Sequence, residues 1–209
     1  MSSFNHQSSE QQTTDELLML AYAKGDASAF DKLYHRHKKA VFLFFIKQNT
    51  SAAVAEELCH DTWLKLINAR EKYEVSALFR TYLFTIARHV MIDFFQKKST
   101  QNEQTFTEHV TEQTIQNSVE ACEDNVKNTE DAEKPSTVNN YQMEQLKQAL
   151  NSQILQLPFE QRQVFLLKQE AGFTVDQIAK ITQDHKEKVK SHWRYALQKI
   201  RKGLTAYVN

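Results

Sequence analysis

Three cations near the end of the chain are spaced to lie on one face of a helix. Lys186, Lys190 and Arg194 recur every four residues, with Ser191 and His192 beside them. Lysine and arginine can neutralise phosphates or bond guanine, while hydroxyl and imidazole groups read base edges or position the backbone. The spacing therefore indicates a helix face that binds duplex nucleic acid.

A second set of cations lies between residues 80 and 98, interleaved with aromatic residues. Its cations are Arg80, Arg88, Lys97 and Lys98, and its aromatic residues are Tyr82, Phe84, Phe94 and Phe95. Tyr82 and His89, the neighbour of Arg88, join the four cations as candidate binding residues. This interleaving suits melted, single-stranded DNA, because unpaired bases stack on rings or enter pockets while phosphates need neutralising. The alternative is that most of these aromatic residues belong to the core, which we expect at least for Leu83, Ile86 and Phe94.

The helix that carries the first set follows a short helix and a polar turn. Thr174 is placed to cap the short helix, which extends to Ile181, and a turn from Thr182 to His185 leads into the longer one. The inward stripe of the longer helix is Val189, Trp193, Ala196, Leu197, Ile200 and Leu204. Most basic helix faces are merely solvated. The capped helix and the length of the turn instead favour a DNA-binding helix-turn-helix here.

The rest of the chain also reads as helix. It contains only 3 Gly and 2 Pro, too few for the tight turns of a β-rich fold. Four helices are predicted early in the chain, near residues 14–24, after Asp26, after Ser51 and over 76–98. Later helices are predicted near 141–156 and between Pro158 and Gly172. The fold class predicted is all-α, with two small helical domains.

The net charge of zero combines two basic ends of the chain with an acidic middle tract. Residues 1–98 have 13 basic and 11 acidic side chains, residues 99–140 have 2 and 9, and residues 141–209 have 11 and 6. The middle tract is rich in Ser, Thr, Gln, Asn and Glu. Its apolar residues do not recur at the spacing of a helix or a strand over any long stretch. We therefore predict a flexible acidic linker over 99–140 between an N-terminal domain over 1–98 and a C-terminal domain over 141–209. Both domains are basic, which fits a nucleic-acid partner.

Two parts of the chain resemble regions of sigma-70-type transcription factors. Residues 157–167 (LPFEQRQVFLL), followed by Gln177-Ile178-Ala179 and Val189-Lys190-Ser191, resemble the fourth conserved region. Residues 55–63 (AEELCHDTW) and 81–93 (TYLFTIARHVMID) resemble the second region. The order of the two matches and the missing third region resemble the extracytoplasmic-function (ECF) group.

This resemblance implies partners and roles. It implies that the protein binds RNA polymerase core enzyme through Glu57, His60, Asp61 and Lys65, which face away from the apolar stripe of the third helix. For a lone Glu or Asp, a solvated acidic face would be the simpler interpretation. The resemblance also implies that residues 80–98 read and help melt the −10 promoter element, and that the helix from Lys186 reads the −35 element. An anti-sigma partner is left open.

Some positions depart from the family pattern. His60, Tyr82, His89 and His192 replace residues that are common there, and Arg194 stands one place early. In the turn, Gln183 and Asp184 replace the usual glycine and aliphatic residue, which leaves the turn geometry open. We expect such changes to alter promoter preference and to leave the function in place.

Other classes fit less well. The chain has no Gly-rich phosphate loop, no nucleophile elbow and no catalytic carboxylate pair, so no enzyme activity and no cofactor are predicted. A zinc site from His35, His37, Cys59 and His60 is disfavoured, because residues two apart point to different helix faces.

With no signal peptide and no apolar run near 20 residues, we expect a cytoplasmic protein that does not insert into a membrane. The main alternative is an ordinary helix-turn-helix regulator that needs no polymerase. A pure interaction protein would leave the basic helix unexplained.

Overall fold

The computed structural model describes residues 13–48, 50–100 and 137–205, and within these ranges it contains helices and no strand. The helices are α1 (Asp15–Ala23), α2 (Ala27–Ile46), α3 (Ala52–Asn68), α4 (Phe79–Thr100), α5 (Thr137–Leu155), α6 (Phe159–Gln169), α7 (Val175–Thr182) and α8 (Lys186–Leu204), with a 3-10 turn at Arg70–Lys72. The all-α prediction is confirmed. Most of the predicted linker, over 101–136, lies outside the described residues.

Short polar side chains begin several of the helices. The hydroxyl of Thr14 accepts from the Leu17 amide, and the carboxylate of Asp26 accepts from the Ser28 amide. Each such cap satisfies an amide that the first helical turn leaves unpaired. Because capping is local, the sequence located these helix starts.

The start of α4 differs from the prediction. The helix begins at Phe79 instead of near Ser76, and the Phe79 amide donates to Oε1 of Glu16 at 2.8 Å. This capping group comes from α1, 63 residues earlier in the chain. Tertiary contact, not local sequence, therefore fixes where α4 begins.

The N-terminal helices, α1 to α4, enclose an apolar core. Its fully buried side chains include Met19, Leu33, Phe45, Leu66 and Leu83. Each helix turns its buried residues toward this core, which leaves the outer faces of α2 and α3 polar. This bundle holds the outer face of α3 and one face of α4 in fixed positions.

The C-terminal helices, α5 to α8, form a second, smaller cluster. It contains Ile154, Leu157, Phe165, Leu166, Ala196 and Ile200. The cluster of the N-terminal helices also includes Val164, Leu167, Ile178, Ile181 and Val189 of the C-terminal helices and Phe173 of the loop between α6 and α7. The apolar core is therefore continuous from α4 into α6, α7 and α8, and the two groups of helices are packed together.

Candidate nucleic-acid interface

The outer face of α8 carries the predicted cations. Lys186, Lys190 and Arg194 are exposed, while Val189 and Ala196 on the opposite side are buried. The predicted inward stripe explains this orientation, and its Trp193 stacks on Phe165 at a centroid distance of 5.6 Å. The spacing of four residues therefore brings the three cations together on one accessible face.

Two of these cations are paired with acids at the surface. Lys186 Nζ lies 2.7 Å from Asp176 of α7, and Lys190 Nζ lies 2.7 Å from Glu187. The hydrogen bond from Lys190 lowers the pKa of Glu187, and the same contact raises the pKa of Lys190. Exposed ion pairs of this kind contribute little free energy, so a phosphate can compete for either lysine.

The neighbouring polar residues are less open. Ser191 and His192 are half-buried, and Nδ1 of His192 is a buried atom with no hydrogen-bond partner among the described residues. The Arg194 guanidinium lies 5.7 Å from the ring centroid of Tyr195. Lys190 and Arg194 are therefore more accessible to a partner than His192 is.

The turn between α7 and α8 is tight. Gln183 adopts a left-handed conformation (φ 57°), and its amide donates to the carbonyl of Ala179. Asp184 then pairs with Lys188 at 2.7 Å, inside the first turn of α8. A non-glycine residue in this conformation is held under strain. The turn that the sequence left open is thus a compact helix-turn-helix corner.

The polar face of α3 is accessible. Glu57, His60, Asp61 and Lys65 are all exposed, whereas Leu58 and Leu66 point inward. Lys65 Nζ lies 2.8 Å from the Asp93 carboxylate of α4, which ties the two helices together at this face. The structure therefore brings the four predicted residues together on one open surface.

Some of the predicted residues on α4 are exposed to solvent, and others contact the C-terminal part of the chain. Arg88 is only 9% exposed, and its Nε donates to Oε1 of Gln163 at 3.1 Å. Arg80 donates to the carbonyl of Ala171 at 2.8 Å, and a ring nitrogen of His89 lies 3.3 Å from Nε2 of Gln183. Lys97 is exposed and Lys98 is half-buried, with its Nζ 4.8 Å from the Phe94 ring centroid.

The aromatic residues of α4 are mostly used in packing. Phe84 is fully buried between Phe44 and Phe173. Tyr82 is half-buried with its ring 5.2 Å from that of Tyr73, and burial raises its pKa. The interleaved pattern therefore does not present Phe84 for stacking with a base, because core packing takes that ring.

Sequence reasoning missed the residues that join the two groups of helices. Arg162 donates to the carbonyls of Gln48, Leu155 and Leu157 at 2.9, 2.9 and 3.0 Å. Gln163, the next residue, is fully buried against Arg88. No local pattern singles out a glutamine whose partner lies 75 residues away.

The chain is similar to two known protein families and to known transcription factors. The family described as Sigma-70 region 2 matches residues 33–101, and Sigma-70, region 4 matches residues 147–200. The ECF RNA polymerase sigma factor SigX of Bacillus subtilis (strain 168) is 23% identical over 175 residues, which are 84% of this chain and 83% of that protein. RNA polymerase sigma factor CarQ of Myxococcus xanthus is 33% identical over 75 residues, 36% of this chain and 43% of that protein.

The two regions match in family order and account for the helix-turn-helix as well as for α3 and α4. The chain belongs to the sigma-70 family, in its ECF group. As an RNA polymerase sigma factor, it directs the core enzyme to promoter DNA.

Solved structures have the same fold as this sigma factor. CnrH in complex with the cytosolic domain of CnrY superposes with a TM-score of 0.64, at 17% identity, over 92% of this chain and 97% of that one. Sigma factor RpoE in complex with the anti-sigma factor NepR, from Bartonella quintana, gives a TM-score of 0.58 at 22% identity, over 84% and 96%. Both likenesses support the helical architecture of this sigma factor.

The described residues of the sigma factor contain neither a membrane-spanning helix nor a metal-binding cluster. Across residues 13–48, 50–100 and 137–205, none of the helices has the length and apolar character to span a membrane. The same residues contain no cluster of three or more His, Cys, Asp or Glu side chains able to hold a metal ion. His37, one of the residues considered for zinc, instead bonds Asp15 at 2.7 Å.

Proposed function

We propose that three surfaces of this sigma factor each bind a different partner during promoter recognition. The core-binding face, made of Glu57, His60, Asp61 and Lys65 on α3, holds the polymerase. The −10 face, made of Arg80, Tyr82, Arg88, His89, Lys97 and Lys98 on α4, captures the opened strand. The −35 face, made of Lys186, Lys190, Ser191, His192 and Arg194 on α8, reads duplex DNA.

The observation that carries this proposal is the exposed basic face of α8 on a helix-turn-helix. Its cations project from one helix at a spacing of four residues, and the preceding helix, α7, begins with a capping box between Thr174 and Gln177. A helix of this kind fits the major groove, where a bidentate Arg or Lys contact to guanine contributes about 1–3 kcal/mol of discrimination. The match of residues 147–200 to Sigma-70, region 4 supports the assignment.

The core-binding assignment is supported by exposure and charge. All four residues are open to solvent on a helix whose opposite side is packed, so a partner reaches them without any unfolding. The face carries both charge signs, which suits recognition by complementary charge. The 2.8 Å pair between Lys65 and Asp93 also couples this face to α4. Polymerase bound at α3 would therefore sit directly beside the −10 face.

The domain boundaries belong to the same proposal. We assign residues 1–98 to the domain with the core-binding and −10 faces, residues 141–209 to the −35 domain, and residues 99–140 to an acidic connection. The end of α4, at Thr100, and the start of α5, at Thr137, extend into the two ends of this connection.

The setting of the protein follows from the proposed partners. The sigma factor would act in the cytoplasm, where the polymerase is, and by binding alone, without catalysis of its own. The two solved relatives are complexes, one with the cytosolic domain of CnrY and one with the anti-sigma factor NepR. We extend this to the present chain as a third partner, an anti-sigma protein that restrains it.

A duplex-binding regulator is the main competing function, and strand opening separates the two. Unstacking a base costs a few kcal/mol in closed duplex, so a protein that captures an unpaired base gains affinity when the bubble is already open. Holoenzyme should bind a promoter with a pre-melted −10 region more tightly than the fully paired promoter. Arg88→Ala and His89→Ala should shrink that advantage and leave −35 duplex binding unchanged. Equal affinity for bubble and duplex would favour the ordinary regulator.

A further inference from the structure

An acidic side chain lies among the cations of the −35 face. Glu187 is in the first turn of α8, and its side chain is 82% exposed. It precedes Lys190, Ser191 and Arg194 by three, four and seven residues, which is the spacing of one side of a helix. The structure therefore presents a carboxylate to any DNA that reaches these residues, and the five residues of the −35 face do not include it.

A carboxylate at this position is unfavourable for binding phosphates and useful for reading bases. The DNA backbone is negatively charged and repels it. The first residues of the second helix in a helix-turn-helix instead contact base edges in the major groove. There a Glu carboxylate can accept a hydrogen bond from N4 of cytosine. Glu187 is therefore placed to contact a base.

Lys190 holds this carboxylate in place. Its Nζ donates to Oε1 of Glu187 at 2.7 Å. The hydrogen bond from Lys190 lowers the pKa of Glu187, so the carboxylate stays an anionic acceptor at neutral pH. The carboxylate keeps further acceptor sites, and the ammonium group keeps two further donors. Both groups can therefore bond DNA without separating from each other.

The donor and the acceptor of this ion pair match the edge of one G·C base pair. In the major groove guanine presents the acceptors N7 and O6, and cytosine presents the donor N4. O6 and N4 are hydrogen-bonded to each other inside the base pair, so they lie about 2.9 Å apart. Nζ of Lys190 and Oε1 of Glu187 are 2.7 Å apart. The lysine can therefore meet guanine while the carboxylate meets the paired cytosine.

A T·A pair fits the same two groups less well. It presents an adjacent acceptor and donor in the same order, O4 of thymine and N6 of adenine. However, adenine also presents the acceptor N7 beside N6, and this atom repels a carboxylate, whereas cytosine has no acceptor beside N4. The lysine also loses the second acceptor that guanine provides. Since C·G and A·T pairs reverse the order of acceptor and donor, G·C is the best complement.

We propose that Glu187 is a base-reading residue of this sigma factor, and that Glu187 and Lys190 together select a G·C pair at one position of the −35 element. Guanine faces the lysine, cytosine faces the carboxylate, and the ion pair stays intact on the DNA. The inference rests on the proposed −35 face. It adds to that face an acidic residue and the base pair that this residue selects.

A second ion pair beside the same face separates base reading from the general effect of charge. Nζ of Lys186 lies 2.7 Å from the exposed carboxylate of Asp176, which belongs to α7. Asp176→Asn therefore removes one negative charge near the DNA, as Glu187→Gln does, but changes no residue in the row along α8. It should raise affinity for all duplexes alike and leave the base preferences unchanged.

Base preference is measured with holoenzyme and promoter duplexes. The duplexes carry the −10 element of a start site mapped for this sigma factor and random base pairs across the −35 region, and sequencing of bound and unbound duplexes gives the preference at each position. At one position the parent protein should favour G·C about tenfold over C·G and A·T. Glu187→Gln should change the favoured pair there to T·A, because a Gln amide accepts from N6 and donates to N7 of adenine. Glu187→Ala should lose the preference.

Unchanged base preferences in both Glu187 variants would overturn the inference, even if their affinity for all duplexes rises as in Asp176→Asn. Glu187 would then serve only the first turn of α8 and its pair with Lys190. Thermal unfolding checks that both variants keep the fold.

Lys190→Ala and Arg194→Ala test the −35 face separately in the same assay. If they change affinity or preference while the Glu187 variants keep the parental preferences, the inference fails and the −35 face stands. If none of the four variants differs from the parent protein, the −35 face and the inference fail together.

Discussion

At the scale of single residues, the polar face of α3 offers the sharpest test of polymerase binding. Asp61 is exposed between His60 and Lys65, so replacing it disturbs no packing. Asp61→Arg should weaken binding to core enzyme by about 2 kcal/mol, roughly thirtyfold in Kd, because it reverses a charge within a complementary contact. Fluorescence anisotropy with purified core polymerase measures this. Asp31→Arg on the exposed side of α2 is the control, and parental affinity in Asp61→Arg would contradict the assignment.

The cations of α8 can be separated into base readers and phosphate contacts. Lys190→Ala and Arg194→Ala should each cost about 1–3 kcal/mol of promoter binding if the side chain bonds guanine. A phosphate contact would instead weaken binding to all sequences and reduce the slope of affinity against salt. Titrations of −35 duplex at several salt concentrations distinguish the two. Lys199→Ala, on another side of the same helix, is the control, and unchanged affinity and slope in both variants would exclude this face.

A buried histidine should make the free energy of unfolding depend on pH. His37 is 6% exposed, and burial lowers its pKa below the ordinary value of 6.5, an effect that Arg80 and Arg36 increase and Asp15 opposes. As the pH falls below about 6.5, the unfolded chain takes up the proton first, so the free energy of unfolding should decrease there. Urea unfolding between pH 7 and 5.5 should show a smaller decrease for His37→Gln than for the parent. His35→Gln, which changes an exposed residue, should keep the parental decrease, and equal decreases in all three proteins would contradict the interpretation.

At the scale of elements, α7 depends on its cap. The hydroxyl of Thr174 accepts from the Gln177 amide at 3.2 Å, and the Gln177 side chain accepts from the Thr174 amide at 2.7 Å. Thr174→Ala should destabilise the protein by about 1 kcal/mol, whereas Thr174→Ser keeps the hydroxyl and should cost little. Urea unfolding measures the difference. Equal loss in both variants would show that the methyl group, and not the cap, stabilises this corner.

Local signals in the sequence predicted most elements of the fold, and non-local contacts explain the exceptions. Thr14, Asp26, Ser51 and Thr174 each cap the helix that follows them, because a cap lies within three residues of its partner. The start of α4 was predicted three residues early, since its cap is Glu16 of another helix. The helical spacing of apolar residues likewise predicted which faces of α3 and α8 are exposed.

At the scale of the whole molecule, the sequence predicted the helical groups but not how they meet. The sequence places both Arg88, a candidate −10 contact, and Phe84, one of the accompanying aromatic residues, on α4. Their neighbours are Gln163 of α6 and Phe173, which lies in the loop between α6 and α7. An arginine on a helix gives the same local pattern whether it faces solvent, DNA or a second domain. Only the tertiary structure shows that this one is buried.

The central claim is that the protein acts with RNA polymerase, and run-off transcription tests it most directly. Core enzyme lacking any other sigma factor is incubated with genomic DNA fragments, with and without the purified protein, and the transcript starts are mapped. We expect discrete starts that require both the protein and the core enzyme, each preceded by related sequences at −35 and −10, and fewer transcripts with Asp61→Arg. If the protein binds duplex fragments specifically on its own while no start depends on it, the account is wrong and the ordinary helix-turn-helix regulator is right.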